Sequence, residues 1–223
     1  VLRWTADGIA YEADPRHAEI LAKEMGRSGP SVRTPGVKAD KPKDGKTTTD
    51  LEEPLNEGDT KWFRSGAARA NYLAMDRPEL AFATKELCRR ISAPMAGDVA
   101  ALRRVARYLA EEPRLVYWFE WQLHGESRTY VDTDFAGCAE TRRAMTCLYL
   151  DGQPVLGFAR RQGVRSKSSG EAELYGASSV VFDGRLVKGL LEWLDFRVEY
   201  TLYVDSSSAK AMMNRDSVGG VKH

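Results

Sequence analysis

Apolar residues in the first half of the chain recur with a helical period, and in the second half the pattern changes to that of strands. Leu102, Val105, Ala106 and Leu109 repeat at i, i+3, i+4 and i+7, which predicts a helix over 98–112 that Pro113 stops. Arg103, Arg104 and Arg107 fall off that stripe and are read first as a solvated face, with phosphate contact as the alternative. Helices are likewise predicted over 60–75, with Trp62, Ala70 and Leu73 as core positions, and over 78–91, opened by Asp76 and Pro78. Nearer the start, Ala18, Leu21, Ala22 and Met25 share one face of a helix capped by Asp14, opened by Pro15 and ended by Gly26. Before it, residues 2–13 read as a hairpin. Asp7-Gly8 would form its two-residue turn with positive φ at both positions.

From 115 onward the residues are aromatic and β-branched. Strands are predicted over 115–122, 127–136, 146–150, 155–159 and 200–204, and helices over about 169–193 and 206–214. Several strands, a helix, a strand and a helix make an α/β layer domain. Between the halves of the helical region, residues 27–60 are rich in Gly, Pro, Lys, Asp and Thr, which marks a linker.

Composition narrows the chemistry. The 223 residues suffice for one large or two small domains, and the net charge of +1 leaves any nucleic-acid binding to a local patch. Three cysteines without a C-x-x-C suggest neither a disulfide framework nor a zinc ribbon, and point to a reduced, intracellular setting. No apolar run approaches the length of a membrane span. The chain starts at Val1 and stops at His223, as a piece cut from a longer protein would. The histidines His17, His124 and His223 lack ligand spacing, and neither a nucleophile elbow nor a phosphate-cradling glycine loop occurs.

Carboxylates remain. Asp132 and Asp134 share one face of a strand, because strand side chains alternate. Glu171 and Glu173 lie near a helix start, and their spacing lets only one of them join a site easily. Asp205 follows the strand 200–204. Strand ends and helix starts gather on one edge of such a sheet. Like charges brought together there raise each other's pKa, and Mg²⁺ resolves the conflict by accepting hard carboxylate oxygens. Two such ions about 4 Å apart support in-line cleavage of a phosphodiester. Arg160, Arg161, Arg165 and Lys167, with Arg142 and Arg143, form the local basic patch suited to a phosphate backbone.

These residues carry a resemblance. Asp132-Thr133-Asp134-Phe135-Ala136-Gly137 resembles the S-D-A-D-W-A-G segment of copia-type retrotransposon Pol polyproteins. Ser168-Ser169-Gly170-Glu171-Ala172-Glu173-Leu174 resembles their S-S-T-E-A-E-Y, and Tyr203 to Ala209 is similar to their Y-C-D-N-Q-S-A. Val221-Lys222-His223 is similar to the start of T-K-H-I-D. Upstream, Phe63-Arg64-Ser65-Gly66 resembles Y-R-S-x-x-G, and Met75 to Ala83 resembles T-R-P-D-I-A-F-A. Arg107-Tyr108-Leu109 matches R-Y-L.

The resemblance implies an α/β fold, an RNase H-like mixed sheet with flanking helices, preceded by a small, mainly helical reverse-transcriptase tail. On that reading 1–26 ends the reverse transcriptase, 27–60 is the linker, 61–113 is thumb- or connection-like, and 114–223 is the RNase H-like domain. It also implies two-metal hydrolysis of the RNA strand of an RNA/DNA hybrid. Asp132, Glu173 and Asp205 would be the catalytic carboxylates and would bind two Mg²⁺ ions, with Mn²⁺ as a substitute and Asp134 as a further candidate. The remaining polyprotein would be a partner, in a cytoplasmic particle or the nucleus. Several features depart from the family. Gly170 replaces a Thr, Phe158-Ala159 stands for Trp-Ser, no Y-x-D-D is present, and the chain stops before an expected aspartate. They keep open a second expectation: an inactive remnant that binds nucleic acid or scaffolds the polymerase. A phosphatase on a similar fold is a third.

Overall fold

The computed structural model describes residues 1–26, 29–36, 53–121, 125–138, 141–150, 152–164 and 166–215, the side chains of 134–138, 141–150 and 161 excepted. The chain divides into two compact units, Val1–Trp121 and Gln122–His223.

The first unit is a helical layer with a small antiparallel sheet. Strands β1 (Leu2–Trp4), β2 (Gly8–Glu12) and β3 (Val116–Glu120) lie in that order. Helices α1 (Pro15–Met25), α2 (Glu57–Leu73), α3 (Ala81–Arg89) and α4 (Ala96–Glu111) share one core. The stripe Leu102, Val105, Ala106 and Leu109 is fully buried, against Leu21, Phe63, Ala67 and Leu80 among others. Gly66 permits this closeness, because a Cβ there would lie 2.4 Å from Met25 of α1 and 2.8 Å from Leu102 of α4.

Four expectations need correction here. The hairpin turn is centred on Ala6-Asp7. The Thr5 hydroxyl accepts from the Asp7 and Gly8 amides, and the Thr5 amide donates to the Gly8 carbonyl at 2.9 Å. Neither Asp7 nor Gly8 has positive φ. Gly8 is instead a strand residue whose Cβ would lie 2.2 Å from the Phe119 carbonyl oxygen. The helix expected over 78–91 is a 3₁₀ turn, Pro78–Leu80, followed by α3. Pro78 restricts Arg77 before it, and the Arg77 carbonyl accepts from Leu80. The predicted linker is part of the unit at both described ends. Arg104 donates to Thr34, and Pro54 bridges Met95 just before Asn56 caps α2. Residues 27–28 and 37–52 of that linker lie outside the described residues. Finally, the boundary placed at residue 114 falls after Trp121, because β3 pairs with β2 along its whole length. Residues 1–26 and 61–113 likewise share one core and are not separate parts.

The second unit is a mixed four-stranded sheet with helices. Its strands are β4 (Glu126–Cys138), β5 (Thr141–Leu150), β6 (Gln153–Arg161) and β7 (Glu199–Val204), in the order β6-β5-β4-β7. β4 and β7 run parallel and the other pairs antiparallel. Parallel neighbours need a crossover, and the long helix α5 (Ser169–Trp193) lies between β6 and β7 in the chain. Val131, Ala177, Val180, Val204 and Ala209 form the core, with Phe158 and Leu202 packed against it. Phe158 thus serves as a core residue where the family pattern has Trp. A short helix, α6 (Ser207–Met213), follows β7 and is capped by Ser206. Strands β5 and β6 extend beyond their predicted spans, because the segments 141–145 and 160–161 continue the ladder, with Arg143 opposite Arg161. The architecture is the mixed α/β one expected from the pattern of elements.

Candidate metal centre

Three elements converge at the middle of β4, where its pairing with β7 ends. Val131 and Val204 stand opposite one another at the end of the parallel β4–β7 pairing, so the next residue on β4, Asp132, and the residue after β7, Asp205, lie side by side. Glu173 comes from the first turns of α5. Ser168 caps that helix by accepting from the Glu171 amide. Gly176, one turn after Glu173, lets α5 rest on β4, since a Cβ there would lie 2.4 Å from the Thr133 methyl. Each of Asp132, Glu173 and Asp205 offers a carboxylate oxygen, and these oxygens lie within 4.8 Å of one another. Asp132 and Asp205 are exposed, whereas Glu173 is 7% exposed.

Glu173 is held firmly. Its Oε1 accepts from the Thr133 amide at 3.2 Å and from the Thr133 hydroxyl at 2.6 Å. Its Oε2 is buried without a hydrogen-bond partner among the described residues. Burial pushes the Glu173 carboxyl above the usual glutamate range; the two Thr133 bonds oppose that rise, and the nearby Asp205 and Asp132 add to it. A buried acceptor with an unused oxygen beside two further carboxylates suits a hard divalent cation, which would offset the repulsion and satisfy Oε2.

The choice between the two glutamates has a structural cause. Glu171 accepts from the Lys167 amide at 2.5 Å and bonds the Tyr175 phenol, so it closes the start of α5. It is not in the carboxylate group formed by Glu173. The Gly170 that replaces the family's Thr also has a reason here. A Cβ at that position would lie 2.3 Å from the Ser208 hydroxyl of α6.

The basic residues are distributed differently. Arg160 is drawn to α5, with Nη2 2.6 Å from Asp183 and its guanidinium 3.7 Å from the Phe158 ring centre. Lys167 is exposed just before the α5 cap. Arg142 and Arg143 in β5, Arg161 in β6 and Asp134 in β4 have strand backbones, with Asp134 opposite Arg143; their side chains lie outside the described residues. Arg165, His124 and the Val221-Lys222-His223 motif lie outside them altogether. Thr133 and Gly176 are the site residues that sequence reasoning missed. Their signals were a hydroxyl between two strand aspartates and a glycine one helical turn after an acid.

An acidic trio on a mixed α/β sheet defines the class: a protein with a candidate divalent-cation centre. The comparisons then give its relatives. The chain is 32% identical over 117 residues to an uncharacterized mitochondrial protein of Arabidopsis thaliana, covering 50% of this chain and 47% of that protein. It is 25% and 26% identical over 151 residues to the retrovirus-related Pol polyproteins from transposons RE1 and RE2 of the same plant, covering 66% of this chain and 10% of each. No family model matches, and no solved structure matches. The chain spans about half the length of the mitochondrial relative and a tenth of each polyprotein. It is a relative of retrotransposon Pol polyproteins, in keeping with the copia-type resemblance of its motifs.

Proposed function

We propose that the second unit is an RNase H-like nuclease segment of a retrotransposon Pol polyprotein, which hydrolyses the RNA strand of an RNA/DNA hybrid. The convergence of Asp132, Glu173 and Asp205 within 4.8 Å, with Glu173 Oε2 unsatisfied, carries this reading. Asp132, Glu173 and Asp205 would hold two Mg²⁺ ions. When bound, such ions supply a nucleophilic water at neutral pH and neutralise charge on the scissile phosphate. Thr133 keeps Glu173 in one rotamer, so the carboxylate geometry exists before substrate arrives. The exposure of Asp132 and Asp205 leaves the outer side of the trio open to a phosphodiester. Lys167, exposed just before α5, would meet the phosphate backbone, so binding would weaken with salt. A hybrid would be recognised by backbone shape and 2′-hydroxyls, independently of base sequence.

Calorimetric titration with Mn²⁺ separates this reading from that of a non-cutting remnant. The intact chain should bind Mn²⁺ specifically. Asp132→Asn, Glu173→Gln and Asp205→Asn should each abolish or sharply weaken that binding. Equal heats for the parent chain and all three variants would contradict the proposal.

A further inference from the structure

Helix α5 carries more apolar surface than its own sheet covers. Its inner side is used: Ala172, Ala177 and Val180 are buried, and Gly184 accommodates the Tyr200 ring. On its outer side Phe182, Leu186, Leu190 and Trp193 follow one another at helical spacing, and all are exposed, Phe182 by 75% and Trp193 by 80%. Scattered exposed apolar residues are ordinary, whereas a continuous stripe marks an interaction surface. Gly189 lies within this stripe. Among the described residues a Cβ there would meet nothing within 4 Å, so no approach among them requires a glycine. A mid-helix glycine lowers helix stability relative to alanine, and close passage of another backbone is a reason to keep one.

The flanking charges say what the stripe fits. Arg185 and Glu192 are two turns apart and therefore share one flank of the stripe. Arg185 makes no salt bridge among the described residues, and Glu192 has only the exposed i,i+4 pair with Lys188 at 2.7 Å. Such pairs contribute little and exchange readily. Phe182 and Trp193, Leu186 and Leu190, and Arg185 and Glu192 are each placed almost symmetrically about the level of Lys188-Gly189. A two-fold axis at that level would lay an antiparallel copy of α5 on the first. It would bring the two Gly189 residues to the closest approach, Trp193 of each copy over Phe182 of the other, and Arg185 of each copy to Glu192 of the other. That is the self-complementary pattern of an isologous interface.

We propose that this chain self-associates through the outer face of α5, with a second copy of the same helix as the occupant. The inference is independent of the nuclease reading, since it uses none of the carboxylates. Sedimentation velocity of the full chain over a wide concentration range tests it, with circular dichroism as the check on folding. A concentration-dependent dimer is expected, and Leu186→Ser with Trp193→Ser should make it monomeric without loss of helix signal. Arg185→Glu, an exposed change that leaves the core untouched, should weaken the dimer roughly tenfold or more, because the symmetric interface contains the pair twice. Adding Glu192→Arg should restore association. A chain that stays monomeric at every concentration overturns the proposal. So does a dimer indifferent to the α5 changes, or one that the second charge reversal does not rescue.

Discussion

At the scale of single residues the site turns on Glu173 and the Thr133 that holds it. Burial beside Asp132 and Asp205 raises the Glu173 carboxyl above its usual range. A raised acid stabilises the fold when protonated. That contribution is fully present below the ordinary glutamate range and is lost as the pH rises through the raised value. Without metal, the chain should therefore lose stability over that window. Glu173→Gln should remove this pH dependence and melt a few degrees higher at neutral pH in the presence of a chelator, as thermal unfolding across a pH series would show. Mn²⁺ affinity of the parent should fall on acidification through the same window, because the cation must displace the proton. Thr133→Val keeps the amide bond to Glu173 but removes the 2.6 Å hydroxyl bond. Loss of such a supporting contact should weaken Mn²⁺ binding roughly tenfold, read by the same calorimetry. The mutual repulsion of the carboxylates was legible in the sequence, but the support from Thr133 was not, because there it is one hydroxyl between two more conspicuous aspartates.

At the scale of elements, the close seating of α5 on β4 decides whether the three carboxylates meet. Gly176→Ala would put a methyl 2.4 Å from that of Thr133 and lift the helix. The expected cost is about 1–3 kcal/mol in denaturant unfolding, with weakened metal binding, because Glu173 moves with the helix. Local signals fared unevenly. The stripe on α4 and the Asp14 cap could be read directly, because period and capping are local chemistry. Asp7-Gly8 misled because Thr5 takes the turn amides, leaving Gly8 for close contact with β3, more than a hundred residues away. The motif order D…E…D located the trio, yet which glutamate serves it depends on the Lys167 amide and the Tyr175 phenol capturing Glu171.

At the scale of the whole molecule, long-range pairing sets the organisation that composition alone could not. The strand 116–120 looks in sequence like the opening of the second domain, but its ladder to β2 makes it the last element of the first unit. The second unit then holds every carboxylate of the trio within Gln122–His223. No helix among the described residues is long and apolar enough to cross a membrane. The net charge of +1 means that hybrid binding should depend on the local basic residues, falling steeply with salt rather than following overall charge. The nuclease proposal is tested by cleavage of a labelled RNA/DNA hybrid by this chain in Mg²⁺ or Mn²⁺, beside its Asp132→Asn variant. The parent should cut the RNA strand and the variant should leave it intact. No cutting by the parent in either metal, or equal cutting by both proteins, would contradict it.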